Sequence, residues 1–291
     1  MQAQIDTLDN ESLETVKAFY EKKSKRLDKI IKQSDKQQFQ LIKLNTIIEE
    51  QQKKLSELYD YNIFQQNIAK EKLESLIIND YQNFSKVIFK ASDILSGDYY
   101  SIYKLKNGDT FMYLIDGQGH GIAPALTIHA ISSNILQMIH SLKNFNTFEL
   151  FIEKLFFEIQ KFLGDEEQLS YIFTYIKKDS SAMKYLSGGM YPFLIKTQQT
   201  TNRYKANNLP FMNFSPIPVV QEIKLENTYE NILLYSDGFV EELNNEMKTY
   251  TPQTILNDKE LLKPLNKYIQ NSSFDDDITI IYFLNPNQDN S

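Results

Sequence analysis

Residues 110–126 read TFMYLIDGQGHGIAPAL, and the character of the chain changes twice within this stretch. A β-prone apolar run ends at Asp116, a turn with three glycines follows, and a helix is predicted from Ala123 with Pro124 in its first turn. The pattern predicts a strand, a tight turn and a helix, with a carboxylate at the rim of a sheet. The glycine spacing matches neither of the common nucleotide-binding loops, and an ordinary tight turn would explain the glycines alone.

Three further acidic stretches flank β-prone runs: SGDYYS (96–101), YSDGFVEE (235–242) and FDDDIT (274–279). Several converging carboxylates cannot all stay ionised unless positive charge lies between them. Hard oxygen ligands of this kind favour Mg²⁺ or Mn²⁺. The residues predicted to meet at such a metal site are Asp98, Asp116, Asp237 and Asp276.

Composition excludes several kinds of chemistry. The chain has no cysteine, so it has no disulfide, no thiolate nucleophile and no sulfur-ligated metal, which fits a reducing cytoplasm. With only three histidines, a Ser-His-Asp triad has few candidates. The formal net charge of −7 argues against nucleic acid as the main partner. We find no apolar run long enough for a membrane span and no signal-peptide core, and therefore expect a soluble cytoplasmic protein.

The N-terminal region, residues 1–80, has the composition of a long helix. Residues 11–76 contain no glycine or proline. Heptads counted from Leu27 give an apolar seam with polar interruptions, which predicts a parallel coiled-coil homodimer. A solvated single helix, or a helical hairpin that folds back on the rest of the chain, is the alternative. The apolar seam positions are Leu27, Ile30, Leu41, Leu44, Ile48, Leu55 and Leu58.

Residues 81–285 change to short β-branched and aromatic runs separated by turn residues, enough chain for one domain with its own core. Two amphipathic helices are predicted between the strands, one after Ala123 and one capped by Thr147, and a third over Pro252–Gln270. Residues 286–291 are expected to be a disordered tail. The predicted strands are 86–92, 98–105, 110–115, 170–177, 182–187, 192–196, 219–225, 231–235 and 277–284.

The four acidic motifs resemble those of the metal-dependent serine/threonine protein phosphatases of the protein phosphatase 2C type, in their bacterial SpoIIE/RsbU-like branch. The stretch between them, SYIFTYIKKDSSAMKYLSGGMYPFLI (170–195), is also similar to that family, and the order and spacing of the motifs match. The resemblance runs from about Lys86 to Phe283. It implies an α+β fold, an αββα sandwich of two antiparallel sheets flanked by helices. Here the long N-terminal coiled-coil helix would precede that sandwich.

The resemblance also implies a role for each aspartate. Asp116 would be shared by two Mn²⁺ or Mg²⁺ ions, with the Gly117 carbonyl assisting at one of them. Asp98 would hold the second ion, and Asp237 and Asp276 would complete the first. Catalysis would then proceed through a metal-activated water, without a covalent enzyme intermediate.

Some assignments stay open at the level of sequence. Spacing alone does not decide which of Asp275, Asp276 and Asp277 is a ligand. Alignment of DDIT with the family favours Asp276 and leaves Asp277 to support the ligands. His120 is a candidate general acid toward the serine leaving group, although a histidine between glycines is more often a plain loop residue.

The sequence departs from the commoner family pattern at two places. Many relatives carry an aspartate where this chain has Ser101, and many have Ala-Gly-His-Pro-Pro where residues 188–192 read GGMYP. The second difference removes a histidine near the site. Neither difference touches the four aspartates.

The resemblance implies a phosphoserine or phosphothreonine protein phosphatase in bacterial signalling by partner switching. The substrate class it suggests is a regulatory phosphoprotein, such as a STAS-type anti-sigma antagonist. Two other functions are weighed against it: a catalytically weak phosphatase-fold scaffold that only binds a regulatory partner, and a hydrolase of small phosphorylated metabolites.

Overall fold

The computed structural model describes residues 2–119, 121–225, 229–242 and 250–287, with side chains from residue 13. The chain divides into two compact units, Met1–Ile63 and Phe64–Ser291. The first unit is helical and belongs to α1, which runs without a break over Gln2–Glu74. Continuous helix over this range excludes a hairpin within it.

The predicted seam of α1 is exposed along its length in the single chain. Leu41 is 58% exposed, Leu44 52% and Leu55 68%. A lone helix of this composition would leave these side chains in water, which is unfavourable for apolar surface. The exposed seam is therefore consistent with the predicted coiled coil.

The second unit contains two five-stranded antiparallel sheets. Sheet A has the order β2-β3-β4-β5-β8 and sheet B the order β1-β10-β9-β6-β7. Most strands are rich in apolar β-branched and aromatic residues, which favour a pleated sheet. The strands are β1 (Ser85–Lys90), β2 (Asp98–Lys104), β3 (Thr110–Gly117), β4 (Leu169–Ile176), β5 (Ala182–Gly188), β6 (Phe193–Thr197), β7 (Thr201–Tyr204), β8 (Gln221–Lys224), β9 (Tyr229–Tyr235) and β10 (Ile278–Leu284).

Among its described residues, this unit also contains the helices α2 (Ile122–Met138), α3 (Phe148–Ile159), α4 (Asp237–Glu241), α5 (Pro252–Asn257) and α6 (Leu262–Asn271). Three apolar layers hold the unit together. One lies between α2, α3 and sheet A, one between the two sheets, and one between sheet B, α5 and α6. The predicted αββα sandwich, with the long helix before it, is confirmed.

The expectation that no apolar run is long enough to span a membrane was wrong, because the helical segment Ile122–Ser141 is long and apolar enough by length and composition. In the fold, however, α2 buries Ile128, Ile131 and Ile135 in the layer against sheet A. This core packing accounts for the apolar residues on one face of the helix, whereas Ile122 and Leu126 are exposed.

Three elements differ from the sequence predictions. Helix α4 was not predicted. Strand β7 was not predicted, and the third helix is interrupted between α5 and α6 by a short 3-10 turn. Thr251 caps α5 as predicted. Asp258 then adopts an extended backbone, and its side chain accepts a hydrogen bond from the Glu260 amide. An aspartate that caps a new turn in this way ends the preceding helix.

The described part of the C-terminal segment is hydrogen-bonded to the loop between β4 and β5. Asn287 donates hydrogen bonds from Nδ2 to the Lys178 carbonyl and to Ser180 Oγ. Residues 288–291 of the predicted tail lie outside the described residues.

Gly188→Ala is expected to destabilise the domain. A Cβ at this position would collide with the Leu209 carbonyl and the ring of the buried Tyr171. Overpacking of this kind costs about 1–3 kcal/mol. Chemical denaturation should show a lower midpoint with an unchanged slope. Gly164→Ala is the matched control, because a Cβ there would meet its nearest neighbour, the Glu167 side chain, at an ordinary contact distance of 3.6 Å; an equal loss in both variants would show that packing is not the cause.

Candidate metal centre

Strand register brings the predicted aspartates to one end of the sandwich, called the aspartate end below. Asp98 opens β2 and pairs directly with Asp116 near the end of β3. Asp237 opens α4, immediately after β9, and Asp276 precedes β10. Since β9 and β10 are antiparallel neighbours, the end of one meets the start of the other. The predicted set therefore converges although its members are far apart in sequence.

Asp98 is the most enclosed member of the set. Its side chain belongs to a residue that is 3% exposed, and Oδ2 accepts a hydrogen bond of 2.6 Å from Thr279 Oγ1. This bond joins sheet A to sheet B at the site. Burial, followed by the charge of Asp116, raises the pKa of Asp98 well above its usual range.

The other aspartates also act on one another. Burial, then the charges of Asp237, Asp276 and Asp277, raises the pKa of Asp116. Burial, then the charge of Asp276, raises the pKa of Asp237. The charge of Asp116 thus acts on Asp98 in sheet A, while Asp116 itself feels the carboxylates at the ends of β9 and β10 in sheet B, so it lies between the other members of the set.

A divalent cation fits this donor set. In the described ranges, the ion pairs involve none of Asp98, Asp116 or Asp237, so no lysine or arginine neutralises these carboxylates. Their oxygens are the ligands that Mg²⁺ and Mn²⁺ prefer. Within the same ranges, no three acidic or histidine side chains already stand in a coordinating arrangement. The side chains would therefore have to close around the ion.

The three successive aspartates before β10 have different surroundings. Asp275 is exposed, and Asp276 is partly buried beside the other carboxylates. Both carboxylate oxygens of Asp277 are occupied: Oδ1 accepts from the Ser92 amide at 2.7 Å, and Oδ2 from the Gly97 amide at 2.6 Å. This pattern supports Asp276 as the ligand and gives Asp277 the role of holding the segment that leads into Asp98.

Glycines allow the backbone to pack closely beside the site. The Gly117 amide donates to the Gly97 carbonyl at 3.0 Å. A Cβ at Gly97 would lie 2.8 Å from the carbonyl oxygens of Gly117 and Gly119. The Gly117 carbonyl, predicted to assist at one ion, is therefore next to the segment that Asp277 holds. His120 lies outside the described residues.

Sequence reasoning missed the residues that support the aspartates. Gly97 precedes Asp98 in the SGD motif, and Thr279 follows Asp277 in DDIT, so both were visible in quoted motifs. Ser92, which also donates from Oγ to Asp277, belongs to none of the quoted motifs.

The stretch 188–192, which departs from the commoner family pattern, makes a different contact. Within it the Tyr191 hydroxyl donates a hydrogen bond to Glu241 Oε1 at 3.1 Å.

Asp237→Asn is expected to raise the melting temperature of the metal-free protein at neutral pH by about 2–4 °C. A raised native pKa means that this carboxyl stabilises the fold most below its unfolded pKa, near 3.8, and that the contribution is lost as pH rises through the native pKa. The variant removes that penalty. Calorimetry in EDTA should therefore show a larger difference between variant and wild type at about pH 7.5 than at about pH 5. A lower melting temperature in the variant would contradict mutual repulsion.

The sequence matches the family model described as Stage II sporulation protein E (SpoIIE) over residues 106–283. No curated protein sequence matches the chain significantly. The matched region covers β3 to β10 and includes Asp116, Asp237 and Asp276; Asp98 lies just before it.

Solved structures share the fold at low sequence identity. The SiaA PP2C domain of Pseudomonas aeruginosa superposes with a TM-score of 0.55 at 15% identity, over 80% of this chain and 98% of that one. The PP2C domain of SpoIIE from Bacillus subtilis, with a fragment of its regulatory domain, gives 0.52 at 18%, over 69% and 63%. RsbX in complex with magnesium gives 0.50 at 13%, over 68% and 92%. The chain belongs to the SpoIIE family of PP2C-type bacterial phosphatases.

Proposed function

We propose that this chain is a metal-dependent phosphatase that hydrolyses phosphoserine or phosphothreonine in a regulatory protein. The observation that carries the proposal is the direct pairing of Asp98 with Asp116 at the end where Asp237 and Asp276 also arrive. Burial and neighbouring carboxylates raise the pKa of Asp98, Asp116 and Asp237, and in the described part of the chain no lysine or arginine forms an ion pair with these three. A site of this kind is arranged for cations rather than for a structural ion pair.

Two Mn²⁺ or Mg²⁺ ions are the proposed cofactors, in keeping with the magnesium bound by the similar RsbX structure. Asp116 would contribute to both ions, Asp98 to one, and Asp237, Asp276 and the Gly117 carbonyl to the other. When bound, such ions activate water and neutralise phosphoryl charge. Thr279 fixes the orientation of Asp98, and Asp277 fixes the backbone before it.

The proposed cellular setting is partner switching in the cytoplasm. The similar SpoIIE structure is described as that of a cell fate determinant, which supports a regulatory phosphoprotein as substrate. A STAS-type anti-sigma antagonist is the class that the family resemblance suggests. The enzyme would act as a homodimer through the α1 seam.

Hydrogen bonds join the segment after α1 to β2 and so connect that helix to the site. The Ile78 carbonyl accepts from the Ile102 amide at 2.7 Å, and the Ile78 amide donates to Ser101 Oγ at 3.1 Å. Ser101 and Ile102 belong to β2, the strand that begins with Asp98. Leu73 in the last turns of α1 and Asp98 also line the same small cavity, about 30 Å³ in volume. Displacement of the helix end would therefore be felt by a predicted metal ligand.

A substrate panel tests the proposal. Full-length protein with Mn²⁺ is expected to hydrolyse p-nitrophenyl phosphate slowly and phosphoserine peptides at least about tenfold better in kcat/KM, since remote contacts on a peptide lower the barrier further. EDTA should stop both reactions, and added Mn²⁺ should restore them. Higher kcat/KM on sugar or nucleotide monophosphates would instead favour a metabolite hydrolase. No turnover of any substrate with Mn²⁺ present would favour the scaffold.

A further inference from the structure

The connection between β7 and β8, residues 205–220, exposes apolar side chains at the aspartate end. Leu209 is 83% exposed, Phe214 75% and Val219 68%. Outside α1, these are the three most exposed large apolar side chains among the described residues. Residues 206–220 also contain no charged side chain. Exposed apolar surface of this kind commonly marks an interaction site.

This connection is fixed in place although its side chains face water. Phe211 and Leu169 exchange two backbone hydrogen bonds, each of 2.9 Å. Asn208 Oδ1 accepts from the Val219 amide at 2.7 Å and so ties the two ends of the connection together. Because the backbone is already ordered, binding a partner here would need little further loss of conformational freedom.

The register of sheet A places the connection close to the aspartates. Leu169 pairs with Phe211 on one side and with Gly117, the neighbour of Asp116, on the other. Two strand spacings put Phe211 about 10 Å from Gly117. This is within reach of the residues that flank a phosphoserine bound at the aspartate end.

The start of the connection is basic, whereas in its middle Asn213 donates a hydrogen bond to Asp165 Oδ1. Arg203 and Lys205 are exposed where it begins, and residues 200–221 contain no acidic residue. A segment that carries a phosphoserine is anionic, so its charge is complementary to this flank. The surface therefore combines apolar contacts with a basic edge.

We infer that residues 205–220 dock an apolar segment of the phosphoprotein substrate, next to the phosphoserine that the aspartate end receives. This inference rests on the proposed phosphatase function and adds to it the sequence character of the substrate. Leu209 and Phe214 contact the apolar residues of that segment, and Arg203 and Lys205 face its phosphate-bearing part.

Two synthetic phosphoserine peptides of equal length and net charge test this inference. One carries leucine and phenylalanine beside the phosphoserine, and the other carries serine and glycine there. Both are assayed with the full-length wild type, with Leu209→Ser/Phe214→Ser, and with the control Leu150→Ser/Phe157→Ser. The control pair lies on α3 and is 51% and 58% exposed, so it removes similar apolar surface elsewhere.

The double variant in the connection is expected to lose about tenfold in kcat/KM on the apolar peptide, mainly through KM, because two apolar contacts are removed. Its activity on the polar peptide and on p-nitrophenyl phosphate should stay at the wild-type value. An equal loss on all substrates, no loss, or the same loss in the control would overturn the inference. A change in oligomeric state by light scattering with unchanged peptide kinetics would overturn it too, in favour of self-association.

A binding measurement makes the test independent of turnover. The two peptides are labelled with fluorescein, and their binding is followed by fluorescence anisotropy. Preference for the apolar peptide in the wild type, lost in the double variant, supports docking even in a protein without hydrolytic activity. Failure of the proposed function would be seen separately, as absence of p-nitrophenyl phosphate hydrolysis in the presence of Mn²⁺.

Discussion

Asp116→Ala is expected to reduce phosphatase activity by at least about a thousandfold, because loss of the shared ligand would remove the Lewis-acid contribution of both ions. The structure supports this large effect, since Asp116 pairs with Asp98 and also feels the charges of Asp237 and Asp276. Initial rates on p-nitrophenyl phosphate over a range of Mn²⁺ concentrations measure it. Activity near the wild-type value at any Mn²⁺ concentration would contradict a shared ligand.

Asp275→Asn is the matched control for this effect. It removes one acidic charge close to the site, but Asp275 is exposed and lies outside the interacting set. Its activity should remain close to that of the wild type, whereas Asp276→Asn should lose most activity. The reverse result would show that the ligand at this position was assigned to the wrong aspartate.

Placing glutamate at Leu41, Leu44 and Ile48 together is expected to give monomers with a changed kcat at fixed Mn²⁺. Three adjacent charges in an apolar seam oppose coiled-coil association strongly. Their effect should reach the site because residues after α1 pair with β2, which begins with Asp98. Light scattering and initial rates on the same samples measure both consequences.

Ile42→Glu serves as the control for these substitutions, because Ile42 is exposed on α1 but lies outside the seam. It should stay dimeric with unchanged kcat. A dimer that survives the triple substitution would contradict the seam. Monomers with wild-type kcat would contradict coupling of α1 to the catalytic unit.

Much of the fold could be predicted from local sequence because most of its strands are short apolar runs bounded by turn residues. Strand β7, TNRY, was not predicted from the sequence because it is short and polar and forms the edge of sheet B. The third helix was predicted as continuous because Asp258 interrupts it through a local hydrogen bond rather than through glycine or proline.

The positions of the four aspartates could also be predicted, since each lies at, or within two residues of, the end of a strand or helix in its own motif. Their supporting contacts could not. Asp277 accepts hydrogen bonds from Ser92 and Gly97, and Thr279 donates one to Asp98. The partners lie about 180 residues apart in the sequence. Such contacts depend on how two sheets pack, and no periodicity or turn signal encodes that packing.

The stoichiometry of Mn²⁺ binding, measured by isothermal titration calorimetry on the full-length protein, tests the two-ion site most directly. The wild type is expected to bind two Mn²⁺ ions per chain, Asp98→Asn one, and Asp116→Ala none with comparable affinity. Unchanged stoichiometry in Asp116→Ala, or a wild type that binds no Mn²⁺, would contradict a metal centre built on these aspartates.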